Sequence, residues 1–238
     1  MNQEVIEMAS SQNDTSAESI AGATRIDCTP EARITKSLLG YGVIVGPFYV
    51  LVSVIQGLLT PGFDFARDSW SLLSLGPAGW VHVTVFVLTG LMLIGAAIGL
   101  HRHITAGPAR TAWVYLVVYG VLLMGAGALQ PDAADAAFTW HGAMHLLCGG
   151  LGFIAFAVWS FLVARRLAAR SRRLAVLSAA VGAFLLVGSV CIAAGSGSVT
   201  ANLVFTLAVV VSWAWLSIVS VIFYREAAVE GRIEVPVR

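Results

Sequence analysis

The chain has 238 residues, of which 58% are hydrophobic and only 11% charged, with a mean hydropathy of +0.85. An ordinary globular domain carries about 25% charged residues, so this composition excludes a soluble surface of the usual kind. A formal net charge of +1 excludes the basic footprint of a nucleic-acid-binding protein, so charge acts here only through its position.

Residues 1–34 are polar, Ser/Thr-rich and without apolar periodicity, the composition of a disordered tail. They lack the basic stretch and apolar core of a secretory signal, so the first apolar run is expected to serve as the insertion signal. Six runs then approach the roughly 20 residues that a bilayer demands of a helix: Ser37–Leu59, Gly79–Leu100, Trp113–Leu129, His141–Ala164, Leu174–Ala194 and Thr200–Phe223. Each is apolar around its whole circumference, and stretches such as LAVVVSWAWLSIVSVIF show none of the alternation of a membrane strand. The sequence therefore predicts an all-α membrane protein, a six-helix transmembrane domain over residues 37–223 followed by a short charged tail, 224–238. Pro47 predicts a kink in the first span. Gly95 with Gly99, and Gly149, Gly150 and Gly152, predict close helix approach.

Positive charge is distributed unevenly across those spans. Arg67 lies alone in one set of loops, and the other thirteen Lys and Arg residues fall in the tails and the alternate loops, five of them between Arg165 and Arg173. The positive-inside rule then places both termini in the cytoplasm. Trp70, Trp80 and Trp140 are expected at the outer interface, Trp113 and Trp159 at the inner one. Cys28, Cys148 and Cys191 offer no pair to an oxidising compartment, so no disulfide framework is expected.

The chemistry-bearing groups converge on the outer side. Asp64, Asp68, Asp132 and Asp135 lie in the two larger outer loops, and His82, His141 and His145 lie at the outer ends of the second and fourth spans. His141 and His145 are spaced i,i+4, which aligns two imidazoles on one helical face. With His82, Asp68 and Asp132 as further ligands, that spacing is compatible with zinc or another divalent metal. The same groups, with Ser71, are the candidate catalytic residues: Asp68, Ser71, His82, Asp132, His141 and His145. The plainer alternatives are that His141 caps a helix at the headgroup level, that His145 bonds to a neighbouring span, and that Asp68 or a Ser caps a short interfacial helix at Trp70–Leu75. His101 and His103, which flank Arg102, read as interfacial charge.

These residues carry a resemblance. The stretch RDSWSLLSLGPAGWVHVTVFVLTGLMLIGAAIGL from Arg67 to Leu100, and LLMGAGALQPDAADAAFTWHGAMHLLCGGLGF after it, resemble a bacterial multi-pass membrane family, domain of unknown function 998, over residues 37–223. The family pattern implies an acidic residue and a Ser before Gly-Pro-x-Gly-Trp, met by Asp68, Ser71, Gly76, Pro77, Gly79 and Trp80. It also implies an Asp after the third span and His-Gly-x-x-His at the fourth, met by Asp132, His141, Gly142 and His145. The chain departs from it at Ser69 and Trp70, where the family commonly has His-Pro, and at Gln130, Pro131 and Asp132, where it has Thr-Asp-Pro. The resemblance implies the multi-pass topology in a plasma (inner) membrane and supplies no activity.

Three function classes remain. The leading reading is a membrane protein of unassigned activity with an outer Asp/His cluster, whose expected partners are the lipid bilayer and a lipid or isoprenoid ligand, with no nucleic acid. A membrane-embedded enzyme would use that cluster on a lipid or isoprenoid substrate, by analogy with membrane hydrolases that pair Ser, Asp and His at helix ends. A small-solute transporter would more naturally carry midplane charge and an inverted repeat, and neither is evident.

Overall fold

A computed structural model describes residues 24–133, 136–195 and 198–236. Strand β1 (Thr24–Cys28) leads into helix α1 (Pro30–Leu59). A 3-10 turn (Trp70–Ser74) precedes α2 (Gly79–His103), and α3 (Ala112–Ala128), α4 (Trp140–Ala168), α5 (Arg172–Ala194), α6 (Val199–Glu230) and strand β2 (Arg232–Pro236) follow. Five of these helices are long and apolar enough to cross a membrane, and α3 is a shorter apolar helix of 17 residues. Their outward faces carry large exposed apolar side chains such as Leu51, Ile55, Leu91, Leu151, Ile154, Val190 and Leu207. Faces of that kind need lipid around them, and the chain is a membrane protein.

Local chemistry explains where the helices start. Thr29, Thr139, Ser171 and Ser198 each stand just outside a helix and accept an N–H from the third residue in, at Ala32, Gly142, Leu174 and Ala201. Such caps satisfy donors that the helix cannot pair internally. At α1 the cap is followed by Pro30, whose missing N–H costs nothing at the first position, and by Glu31 at the positive end of the dipole. Order thus begins before the expected tail boundary at residue 34, and α6 runs past the expected boundary at Phe223. Residues 1–23 and Asp135 lie outside the described residues. The helix α1 passes through Pro47 without a break.

Each helix packs on the next, and α6 packs back on α1, so the six form a closed ring in sequence order. Pairings are antiparallel: Gly99 lies on Leu38 and Leu39, Gly90 on Gly120, Gly152 on Tyr119, Gly182 on Ala157, Gly188 on Phe205 and Ala208, and Gly46 on Trp213. A Cβ at Gly99 would stand 2.7 Å from the Leu39 backbone nitrogen, and one at Gly46 would stand 2.5 Å from the Trp213 carbonyl, so backbone contact there requires glycine. Gly149 and Gly150, expected to do the same, meet nothing within 4 Å.

Aromatic rings fill the middle of the ring of helices. Trp70 stacks on Tyr49, Tyr49 on Trp213 at 4.9 Å, Trp213 approaches Tyr119, and Tyr119 approaches Phe156 and through it Trp159. Trp70 and Trp159 are therefore core residues, whereas Trp80 and Trp140 are exposed as an interfacial ring would be. A hydroxyl relay binds α4, α5 and α6: the Trp215 indole N–H donates to Ser178, whose hydroxyl donates to the Ser160 carbonyl at 2.8 Å.

The ring has two distinct ends. β1 pairs antiparallel with β2, from Thr24 opposite Pro236 to Cys28 opposite Arg232, so the first and last described segments lie together, at the same end as the α2–α3 and α4–α5 links. We call this end proximal. The α1–α2, α3–α4 and α5–α6 links form the distal end, with Arg67 among them.

Candidate functional site

The distal end carries the residues singled out from sequence, and it is built around one buried amide. Gln56, in the last turn of α1, donates from Nε2 to the carbonyls of Leu73 at 2.9 Å and Ala78 at 3.1 Å, which pins the 3-10 segment over the helix ends. Gln130, just after α3, reinforces it by donating to the Ser74 carbonyl at 2.7 Å. Ser74 is buried and donates to the Ser71 carbonyl. The Leu73 and Ser74 carbonyls are thereby paired without charge, and the Ala78 carbonyl, which also accepts the Val81 N–H, gains a second donor.

This geometry sets the state of two histidines. With both amide N–H groups of Gln56 committed, its Oε1 faces His82 Nδ1 at 3.3 Å. An amide oxygen only accepts, so Nδ1 carries the proton and Nε2 carries the lone pair. His82 is fully buried, and Nε2 has no partner among the described residues. His145 is fixed in the same sense from α4: Nδ1 faces the carbonyls of Ala126 at 2.8 Å and Leu129 at 2.9 Å, so it donates, and Nε2 is again the acceptor. The two imidazoles flank the Phe86 ring, with centroids 4.7 and 6.3 Å from it. Trp70 adds a complementary group, a buried indole N–H without a partner among the described residues, on a ring stacked 6.0 Å from Tyr49; His82 lies 6.1 Å from the same Tyr49 ring.

The remaining predicted residues are engaged elsewhere. Asp68 closes its own loop, accepting from the Asp64 N–H at 2.8 Å, while its carbonyl accepts from Asn202 at the start of α6. Ser71 shares a hydroxyl contact with Ser69 at 3.2 Å. Asp132 receives the Thr139 hydroxyl at 2.6 Å and the Thr139 N–H at 2.9 Å. Those two bonds, with His141 nearby, hold its carboxyl below the usual range. His141 is exposed and lies on Trp140, with ring centroids 3.6 Å apart. His82 and His145 are thus brought together; Asp68, Asp132 and His141 are not joined to them by any bond among the described residues. Nor do those residues contain three His, Cys, Asp or Glu side chains gathered to hold one metal ion.

Sequence reasoning passed over Gln56, Asn202 and Glu226. For Gln56 and Asn202 a lone amide inside an apolar run was the available signal, since such groups are costly there unless paired, whereas Glu226 stands in the charged tail where nothing marks it. His103, read as interfacial charge, is instead almost wholly buried at the proximal end, with Nε2 3.3 Å from Glu226 and Nδ1 3.5 Å from Glu230. Arg170 meets Glu226 at 2.8 Å and Arg166 meets it at 3.5 Å.

No curated protein and no solved structure matches the chain. Residues 43–222, which hold four of the six apolar runs whole, most of the first and last, and both histidines of the distal site, match the family described as protein of unknown function (DUF998), and the chain belongs to that family.

Proposed function

We propose that the chain is a six-span protein of the plasma (inner) membrane, with its proximal end in the cytoplasm, and that its distal end binds a hydroxyl-bearing lipid or isoprenoid. The thirteen-to-one division of Lys and Arg supports the orientation. α3 has 17 residues, about 26 Å at 1.5 Å per residue, which is the short limit of a spanning helix. Its place inside a closed ring supports counting it as a span.

The observation that carries the binding reading is a pair of buried polar atoms, His82 Nε2 and the Trp70 indole N–H, each without a partner among the described residues and each on a ring about 6 Å from Tyr49. One lacks a donor and the other an acceptor, and a hydroxyl supplies both. Leaving each orphaned in an apolar interior would cost about 1–3 kcal/mol. The rings of Tyr49, Phe86 and Trp213 around them suit an apolar chain behind the hydroxyl. Two imidazole lone pairs held by carbonyl and amide partners are also what a proton acceptor for such a hydroxyl requires.

Native mass spectrometry of the detergent-solubilised protein tests the reading. A co-purified hydroxyl-bearing lipid is expected on the wild type and is expected to be lost from His82→Gln and His145→Gln while both variants remain folded. Retention in both variants would overturn the assignment. Stoichiometric divalent metal in elemental analysis would replace it with a metal-dependent enzyme.

A further inference from the structure

The proximal end contains a cleft of about 350 Å³ between the start of α1, the end of α2 and the end of α6, at the small end of ligand-sized cavities. Glu31, Thr35, Arg102, His103 and Glu230 line it. Arg102 donates from Nε to the Thr35 hydroxyl at 3.1 Å, which orients the guanidinium and leaves its terminal N–H groups for another acceptor. Among the described residues neither Arg102 nor Glu31 has an ion-pair partner, and Glu230 meets only His103, at 3.5 Å. The lining of the cleft therefore holds one oriented guanidinium and two carboxylates.

Its depth is that of a lipid headgroup. The apolar run of α1 begins at about Ser37, and Glu31 to Thr35 precede it by two to six residues, roughly 3–9 Å along the helix. A headgroup layer is about 5–7 Å thick on each side of the hydrocarbon.

We propose that this cleft is a binding site for phosphoethanolamine-type lipid headgroups, with the phosphate on Arg102 and the primary ammonium between Glu31 and Glu230. A purely anionic headgroup would meet two carboxylates. A choline headgroup carries no N–H to donate to them, so the primary amine decides the selection. The proposal rests on the chain being membrane-embedded and is indifferent to which end faces the cytoplasm and to what the distal histidines bind.

The test is retention of lipid by the whole protein purified from vesicles of equal phosphatidylethanolamine, phosphatidylcholine and phosphatidylglycerol, read by native mass spectrometry. The wild type is expected to retain phosphatidylethanolamine about five-fold over phosphatidylcholine, with the preference lost in Arg102→Gln and in Glu31→Gln. Glu31 is exposed, so its variant carries the test should Arg102→Gln fail to fold. Equal retention of the three lipids by the wild type, or a preference unchanged in Glu31→Gln, would overturn the proposal. So would saturable binding of free phosphoethanolamine with no lipid preference.

Discussion

At the proximal end, Arg166, Arg170 and His103 gather around the Glu226 carboxylate; at the distal end, Gln56, Gln130, Asn202 and His145 reach backbone carbonyls. Both arrangements hold helix ends together, but they respond to different disturbances. Ion pairs with half-exposed arginines are screened by salt and tolerate the loss of one member. Buried amide-to-carbonyl bonds ignore salt and fail badly when one partner is removed, because the groups left behind cannot reach water.

The contrast is broken most sharply at Gln56. Gln56→Leu keeps the volume and strands the Leu73 carbonyl and His82 Nδ1, at about 1–3 kcal/mol each, and takes from the Ala78 carbonyl one of its two donors, at about 1 kcal/mol more. A loss of at least about 3 kcal/mol and a fall of roughly 10 °C in the melting temperature are expected by fluorescence-detected thermal denaturation in detergent. A fall of only a degree or two would mean that the 3-10 segment is held by something else.

Glu226→Gln is the matching change at the other end, and its effect is smaller. About 1 kcal/mol is expected, since Arg170 and Arg166 keep access to water. Adding about 0.5 M salt should lower wild-type stability toward that of the variant and leave the variant where it was. Equal salt responses would show that the ionic end does not depend on Glu226.

The smallest effect belongs to Asp132, on the exposed rim of the neutral end. Its folded pKa lies below the ordinary 3.8, so its contribution is present above that value and is lost as the pH falls through the folded pKa. Asp132→Asn should be slightly less stable than wild type at pH 7, and the two melting curves should converge as the pH drops below 3.8. A gap that persists in acid would assign the effect to geometry and not to charge.

Much of the fold was legible because six apolar runs leave few alternatives. The start of α1 was legible too, in Thr29, Pro30 and Glu31, but a Ser/Thr-rich neighbourhood conceals a cap among residues of the same kind. Strand β1 was not, since its partner lies at the far end of the chain and neither strand has a pattern of its own. Of the candidate site, His82 and His145 emerged together because they sit on helices that face the core. Asp68, Asp132 and His141 did not join them: a carboxylate in a loop finds an N–H or hydroxyl within a few residues, as Asp64 and Thr139 provide, before it finds a distant histidine. Gln56 was hidden by the apolar run that surrounds it, although that setting makes an amide consequential.

The closed order of the helices bears on how the protein is made. A ring in which α6 packs against α1 cannot be completed while the chain is still being made, because the partner of the first helix is the last of the six helices to leave the ribosome. Until then the glycine face of α1, with Gly42 and Gly46, has only lipid against it where Ser220 and Trp213 will later lie. Nascent α1 is therefore a waiting half-interface, and a chain cut short before Val199 would present it permanently to other helices and to the proteases that survey the bilayer.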